Sequence, residues 1–270
     1  MVFNSIGVVA DSGYILIAQP RCIVFLLPGE RNTYKALNRA MGKALHRYEM
    51  ISDGDRIIVG VSGGADSLSL MWMLSERRAR IPINYDLFAV YIDPGFEGSF
   101  AEALKAYCEQ LGLPLRVEYT DYGVRGHSAT NRENPCFLCA RLRRKRLFEI
   151  ADELGCRKLA LGHNKDDVIE TLFMNICYAG EISTMLLSQP FFQQRFTLIR
   201  PLAFADEGLI RRFAEYQRFP DFENPCPTAK TSKRQEIKSL LKQLYRSNKK
   251  IKGNIFRAMS HVRLEYLLKS

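Results

Sequence analysis

The stretch Gly60-Val61-Ser62-Gly63-Gly64-Ala65-Asp66-Ser67 constrains the fold of this chain more than any other. An apolar run, Ile57 to Val59, leads into it, and a helix-like segment with Leu68, Leu70, Met71, Met73 and Leu74 follows. The order is a buried strand, a tight glycine turn and a helix start. Glycine lets the backbone come close to an anion, and the unpaired amides and dipole of a helix N-terminus favour negative charge there. The stretch is a candidate phosphate site, with a purely structural strand-turn-helix as the other reading. The Gly-Lys-Ser/Thr ending of a Walker loop is missing, so the cradle is of another kind.

Strand and helix patterns alternate on both sides of it. An amphipathic helix from Thr33 turns Tyr34, Leu37, Met41, Ala44, Leu45 and Tyr48 inward and Lys35, Arg39, Lys43 and Arg47 outward. Asp53-Gly54-Asp55 is a turn, and the first strand runs from Arg56 to Val61. A helix to about Arg80, a strand at 86–92, a helix at 100–111 and a strand at 114–119 follow. Residues 121–138 read as a polar excursion ending in Cys136-Phe-Leu-Cys139, and the basic run 141–146 opens the next helix. A strand at 158–161 ends in Gly162-His163-Asn164-Lys165-Asp166-Asp167 and continues as a helix. An edge strand at 196–201, a helix at 206–217, a rigid Asn224-Pro225-Cys226-Pro227 loop and a basic tail with two helical segments complete the chain. The alternation predicts an α/β fold with a doubly wound parallel sheet, its ligands at the carboxyl ends of the strands. Asp93, in the turn Asp93-Pro94-Gly95, is then a candidate nucleotide contact or a turn cap.

A chain of 270 residues with 47% hydrophobic content can bury one full core. Residues 31–270 read as one such domain with extra helices at each end. Residues 1–30 read as an extension, a short hairpin or poorly ordered, whose apolar pieces are too short for a bilayer and lack a signal peptide's basic start. The net charge of +10 points to a polyanionic partner, nucleic acid first. Five basic residues within 141–146 repel one another unless an anion or cluster shares their space.

Seven cysteines, an odd number without disulfide-scaffold density, fit a reducing cytosol. Cys22, Cys108, Cys156 and Cys177 stand among apolar neighbours and read as small core residues. Cys136, Cys139 and Cys226 are the candidate metal ligands. A structural zinc would have to recruit His127 or His163 from a distance. Three thiolates better suit a [4Fe-4S] cluster with one iron open to an exogenous sulfur, and a redox dithiol is the competing reading.

The loop Ser62-Gly-Gly-x-Asp66-Ser67 resembles the PP-loop of the ATP pyrophosphatases, which split ATP between the alpha and beta phosphates. Together with Pro135-Cys136-x-x-Cys139 through Arg144, Leu161-Gly-His-Asn-Lys-Asp-Asp167, Glu170 to Asn175, Ile199-Arg-Pro-Leu202 and the proline-flanked Cys226, it resembles the tRNA 2-thiocytidine synthetases (TtcA family) over about residues 33–240. The resemblance implies a Rossmann-like fold of the adenine nucleotide alpha hydrolase type. It implies ATP- and Mg²⁺-dependent thiolation of cytidine 32 in the tRNA anticodon loop, in the cytoplasm, with a [4Fe-4S] cluster on Cys136, Cys139 and Cys226. The pyrophosphate would rest on the amides of Gly63 and Gly64 and the hydroxyls of Ser62 and Ser67, with Gly162 and His163 in the same crevice. Asp66, with Asp166, would orient Mg²⁺ or the loop. Arg143 would steady developing charge or contact the RNA backbone. A cysteine desulfurase or a low-molecular-weight thiol or persulfide would donate sulfur, and a homodimer is compatible. Another PP-loop enzyme, a 2-thiouridine synthetase or lysidine-type ligase, and a non-catalytic zinc and RNA-binding module are the competing functions. The sequence departs from the family at Ala65, where lysine is frequent, and after Cys226, where many members have a second cysteine.

Overall fold

The computed structural model describes residues 28–228 and 233–268. The expected N-terminal extension, with Cys22, lies outside them except for Pro28 to Glu30, which open the first helix. In chain order the elements are α1 (Pro28–Arg47), β1 (Asp55–Gly60), α2 (Ala65–Arg78), β2 (Tyr85–Asp93), α3 (Ala101–Gln110), β3 (Leu115–Tyr119) and α4 (Tyr122–Gly126). There follow α5 (Pro135–Glu153), β4 (Lys158–Leu161), α6 (Lys165–Met174) with a π-turn at Asn175–Ala179, β5 (Ser188–Phe191), β6 (Phe196–Ile199), α7 (Glu207–Tyr216), α8 (Lys233–Ser247) and α9 (Ile251–Ala258).

The strands form one sheet in the order β3-β2-β1-β4-β6-β5, parallel except for β5. Side chains alternate across a strand, so β1 sends Ile57 and Val59 to one face and Ile58 to the other. Leu87, Ala89 and Tyr91 of β2 join the first face, and Phe88, Val90 and Ile92 the second. The first face packs against α1, α2, α3 and α7 through Leu37, Met41, Leu70, Met73, Leu104 and Phe213, all fully buried. The second packs against α5 through Leu147, Phe148, Ile150 and Ala151. Each fully buried aliphatic side chain contributes roughly 1.5–3 kcal/mol, which explains the continuous apolar runs of β1 and β2.

The central strand β1 pairs with β2 on one side and β4 on the other, with Gly60 opposite both Val90 and Leu161. Strand order reverses at this point, and in doubly wound sheets the crevice beyond such a reversal holds the ligand. The turns after β1 and β4 therefore face each other.

Two expectations change. The strand at Phe196 is internal: β5 pairs antiparallel with it and forms the edge. Pro190 fits that edge position, and the connecting turn puts Phe192, Gln193 and Gln194 at positive φ without a glycine to announce it. The polar stretch 121–138 contains α4, and α5 begins at Pro135, so Cys136 and Cys139 stand on a helix. The basic tail forms α8 and α9, the two helical segments expected of it. Its helices fold back on α6 around Ile169, Ile237 and Leu241, where Arg234 meets Asp167 at 3.2 Å and Lys252 meets Asp166 at 2.6 Å.

Candidate active site

The loop after β1 is braced by Ser67. The Ser62 amide donates to Ser67 Oγ (3.0 Å), and the Ser67 hydroxyl donates to the Gly64 carbonyl (2.9 Å), with Ser62 Oγ 3.1 Å from Ser67 Oγ. Ser67 thus spends its hydrogen on the Gly64 carbonyl, and Ser62, exposed at the rim, donates its own to Ser67 Oγ. Gly63 has φ +81°, and a Cβ there would lie 2.7 Å from the Phe100 ring. Only glycine satisfies both conditions. Gly64 caps α2 in extended conformation, which aims the free amides of that helix's first turn into the crevice.

The turn after β4 touches this loop closely. A Cβ on Gly162 would lie 3.0 Å from the Ser67 nitrogen. Asn164 caps α6, accepting from the amides of Asp166 (2.7 Å) and Asp167 (3.2 Å), while Asp167 accepts from the Asn164 amide (2.9 Å). The Asn164 side chain also donates to Asp66 Oδ1 at 3.3 Å, tying the two turns together. Burial, reinforced by the charge of Asp167, pushes the Asp66 carboxyl up to about 6. Burial also raises Asp167, with Arg234 pulling it back.

Consecutive helical residues diverge by about 100°, so only one of the pair 166 and 167 can face the crevice. The structure selects Asp167. Asp166 turns away, accepting from the Glu207 amide (2.8 Å) and pairing with Lys252, which corrects the expectation that it joins Asp66. Asp93 also stays out of the crevice. It is 2% exposed and accepts from the Gly95 amide (2.7 Å) and the Ser99 hydroxyl, the geometry of a turn cap.

The crevice encloses about 350 Å³ and is lined by Ser62, Asp66, Ser67, Arg143, Arg144, His163 and Asp167, over an apolar floor of Val90, Ile92, Leu147 and Leu161. Arg200 Nε–H donates to His163 Nδ1 at 3.2 Å, so the histidine proton sits on Nε2. Burial and then the guanidinium of Arg200 push His163 down to about 3. It is a neutral donor at physiological pH.

The thiols meet beside this crevice. Asn134 caps α5 by accepting from the amides of Cys136 (3.0 Å) and Phe137 (3.2 Å), and Pro135 takes the first helical position. Gly126 allows α4 to lie against this turn, since a Cβ there would fall 2.9 Å from the Pro135 carbonyl oxygen. Cys226 arrives on a separate loop, pinned where Phe222 stacks on Phe100 (5.1 Å, 19°), the ring that backs Gly63. The Thr228 hydroxyl lies 3.4 Å from Cys136 Sγ, 3.5 Å from Cys226 Sγ and 3.1 Å from His127 Nε2. Burial raises the Cys139 thiol, Arg143 lowers it, and both other thiols act on it.

Among the described residues no three His, Cys, Asp or Glu side chains close on one point as a single metal ion requires. Two of the thiols share the Thr228 hydroxyl and the third, Cys139, stands one turn along α5 from Cys136, a thiolate set whose chemistry suits an iron-sulfur cluster. His127, weighed from the sequence as a distant zinc ligand, meets the hydroxyl of Thr228 rather than a thiol, and Thr228, two residues past Cys226, belongs to no motif that announces the contact. Cys108 and Cys156 are buried as expected, whereas Cys177 is exposed on the π-turn.

The PP-loop domain family matches residues 33–244. The tRNA-cytidine(32) 2-sulfurtransferase of Pelobacter propionicus is 39% identical over 238 residues, covering 87% of this chain and 88% of that protein. The protein of the same name from Geobacter sulfurreducens is 38% identical over 238 residues, with 87% and 93% covered. Among solved structures, the U34-tRNA thiolase NcsA from Methanococcus maripaludis with its [4Fe-4S] cluster superposes with a TM-score of 0.73 at 27% identity, covering 88% of this chain and 81% of that one. The loop, the strand-end turn and the thiols all fall inside the matched span, and the chain belongs to the tRNA 2-thiocytidine synthetase family of PP-loop proteins.

Proposed function

We propose that the chain is an ATP-dependent tRNA sulfurtransferase that adenylates the C2 oxygen of cytidine 32 in the anticodon loop and replaces it with sulfur. The carrying observation is that one helix, α5, bears Cys136 and Cys139 on its first turn and lines the anion cradle with Ala140, Arg143 and Arg144 on its next. The two halves of the chemistry then lie about 6 Å apart along one rigid element.

The base oxygen attacks the alpha phosphorus, pyrophosphate leaves, and sulfide then attacks C2 while AMP departs with the oxygen. The free amides of Gly63 and Gly64 and the hydroxyl of Ser62 receive the pyrophosphate. Asp66 and Asp167 orient Mg²⁺, which lowers the cost of their mutual repulsion. His163 donates from Nε2 to an anionic oxygen, and Arg143, between the thiols and the cradle, steadies charge at the reacting base. A [4Fe-4S] cluster on Cys136, Cys139 and Cys226 supplies an iron open to exogenous sulfur. Positioning and charge neutralisation provide most of the rate. Nucleosides from a deletion strain, read by mass spectrometry, are expected to lack 2-thiocytidine, and an unchanged level overturns the substrate. Anaerobically purified protein is expected to hold iron and sulfide; zinc alone overturns the cluster.

The tRNA backbone has a matching surface. A hollow of about 800 Å³ between α1, residues 184–187 and α9 is rimmed by Arg39, Lys43, Arg47 and Arg257, none of which meets a carboxylate among the described residues. Lys43 lies over the Phe204 ring in its wall. Four cations held near one surface neutralise phosphates and release counterions. Reversing Lys43 and Arg47 to glutamate is expected to weaken tRNA binding about 10-fold or more at 0.1 M salt and to flatten the salt slope by about 2, with ATP affinity unchanged. Filter binding across a salt series reads both. No helix among the described residues is long and apolar enough to cross a membrane.

A further inference from the structure

The loop from Ser62 to Ser67 contains no cation of its own, and its one charged side chain, Asp66, is a carboxylate. A polyphosphate held there needs positive charge from elsewhere in the fold. Helix α5 offers five basic residues between 141 and 146, and the structure divides them into two sets. Arg141 pairs with Glu133 at 2.9 Å, Lys145 with Glu149 at 3.7 Å, and Arg146 with Glu118 at 2.8 Å and Glu153 at 2.9 Å. Arg143 and Arg144 line the crevice and have no hydrogen bond or ion pair among the described residues.

Those two are not equivalent. Leu147, one turn after them, packs where β1 ends, since a Cβ on Gly60 would lie 3.6 Å from its Cδ1. The turn that carries Arg143 and Arg144 therefore lies over the loop that follows Gly60. Arg143 stands one turn after Cys139 on the same face of α5, on the side of the thiols, and its charge lowers the Cys139 thiol. Arg144 stands one turn after Ala140 and lines the crevice together with His163 and Gly162 of the strand-end turn, and its charge adds to the lowering of His163. Arg200 donates to His163, the charges of Arg200, Arg234 and Arg144 all disfavour its protonation, and no carboxylate among the described residues pairs with Arg144.

We infer that Arg144 is the polyphosphate-binding cation of this site, reaching from α5 across the crevice to the pyrophosphate portion of the nucleotide, while Arg143 serves the thiol side. The assignment rests on the ATP reading above and adds to it which side chain supplies the countercharge. It also accounts for the uncompensated positive pair on α5. The bound anion removes a repulsion that the protein leaves standing. Because Arg144 is exposed and makes no contact that holds the fold, its removal leaves the helix intact.

Isothermal titration with Mg²⁺ and, separately, ATP, pyrophosphate and AMP tests this on the full chain. Arg144→Ala is expected to weaken ATP and pyrophosphate by about 10- to 100-fold, with AMP within about twofold of wild type. Arg144→Lys is expected to recover part of the loss, because the charge returns without the forked geometry. Lys145→Ala, which loses only a surface pair with Glu149, is expected to bind all three as wild type does. An Arg144→Ala protein that binds pyrophosphate like wild type, or that loses AMP as strongly as ATP, overturns the assignment. A wild-type protein that binds neither ATP nor pyrophosphate instead overturns the ATP reading itself.

Discussion

A Cys226→Ala protein is expected to form 2-thiocytidine at least about 100-fold more slowly than wild type, while its tRNA-dependent exchange of pyrophosphate into ATP falls by less than about threefold. The separation follows from where the thiol sits. Cys226 reaches Cys136 through the Thr228 hydroxyl and contributes nothing to the crevice lining. Alanine removes a third ligand and leaves two adjacent thiols, too few to hold a cluster in place. It leaves Ser62, Asp66, Asp167 and His163 untouched. The half-buried loop position makes the stability cost less than about 1 kcal/mol, so a melting curve near wild type accompanies the loss. Iron content should fall in step with thiolation. If exchange disappears as well, the Cys226 loop shapes the ATP site through the stack of Phe222 on Phe100, and the division into two half-sites fails. If thiolation survives, sulfur transfer does not need Cys226, and the three-cysteine cluster is overturned.

The sheet was legible because β1 and β2 are buried on both faces, and burial on both faces forces uninterrupted apolar runs bounded by Gly60 and by Asp93-Pro94. Strand β5 was not. Four residues including a proline, joined to β6 by non-glycine residues at positive φ, carry neither a period nor a turn signature. The tertiary pairing with β6 creates that strand. Helix α4 escaped for a related reason, since five residues between polar loops hold no hydrophobic repeat and are fixed by Gly123 lying against Phe96 and Gly126 against Pro135.

At the site, residues within one loop were legible and residues brought together by the fold were not. Ser62 through Ser67 announce their geometry locally. The choice between Asp166 and Asp167 depends on which of two adjacent carboxylates α9 captures, and Lys252 lies far along the chain from both. His127 reaches the Thr228 hydroxyl only because α4 folds against α5. The unpaired state of Arg144 depends on where Glu118, Glu133, Glu149 and Glu153 stand, which no spacing rule conveys.

Asp66→Asn is expected to raise the stability of the ligand-free protein while lowering turnover at least about 100-fold. Burial and the neighbouring charge of Asp167 lift the Asp66 carboxyl from 3.8 to about 6. A raised folded-state value means that the folded chain holds the proton more tightly than the unfolded one. The stability contributed by Asp66 is therefore complete below pH 4, declines as pH rises through 4 to 6, and is gone at neutral pH. Asparagine removes that decline. A shift of this size corresponds to at most about 3 kcal/mol, and partial solvent access reduces the expected gain to about 2 kcal/mol, or ~4–8 °C in melting temperature at pH 7.5. At pH 4 the two proteins should melt together. The lost activity has the same origin, because the carboxylate that costs stability in the empty site is the one proposed to orient Mg²⁺ against the phosphates. Melting curves with and without Mg²⁺ and ATP separate the two effects: wild type should gain stability on adding both, and Asp66→Asn should gain much less. An inactive variant that melts below wild type at pH 7.5 would show instead that Asp66 serves the fold, through its bond to Asn164.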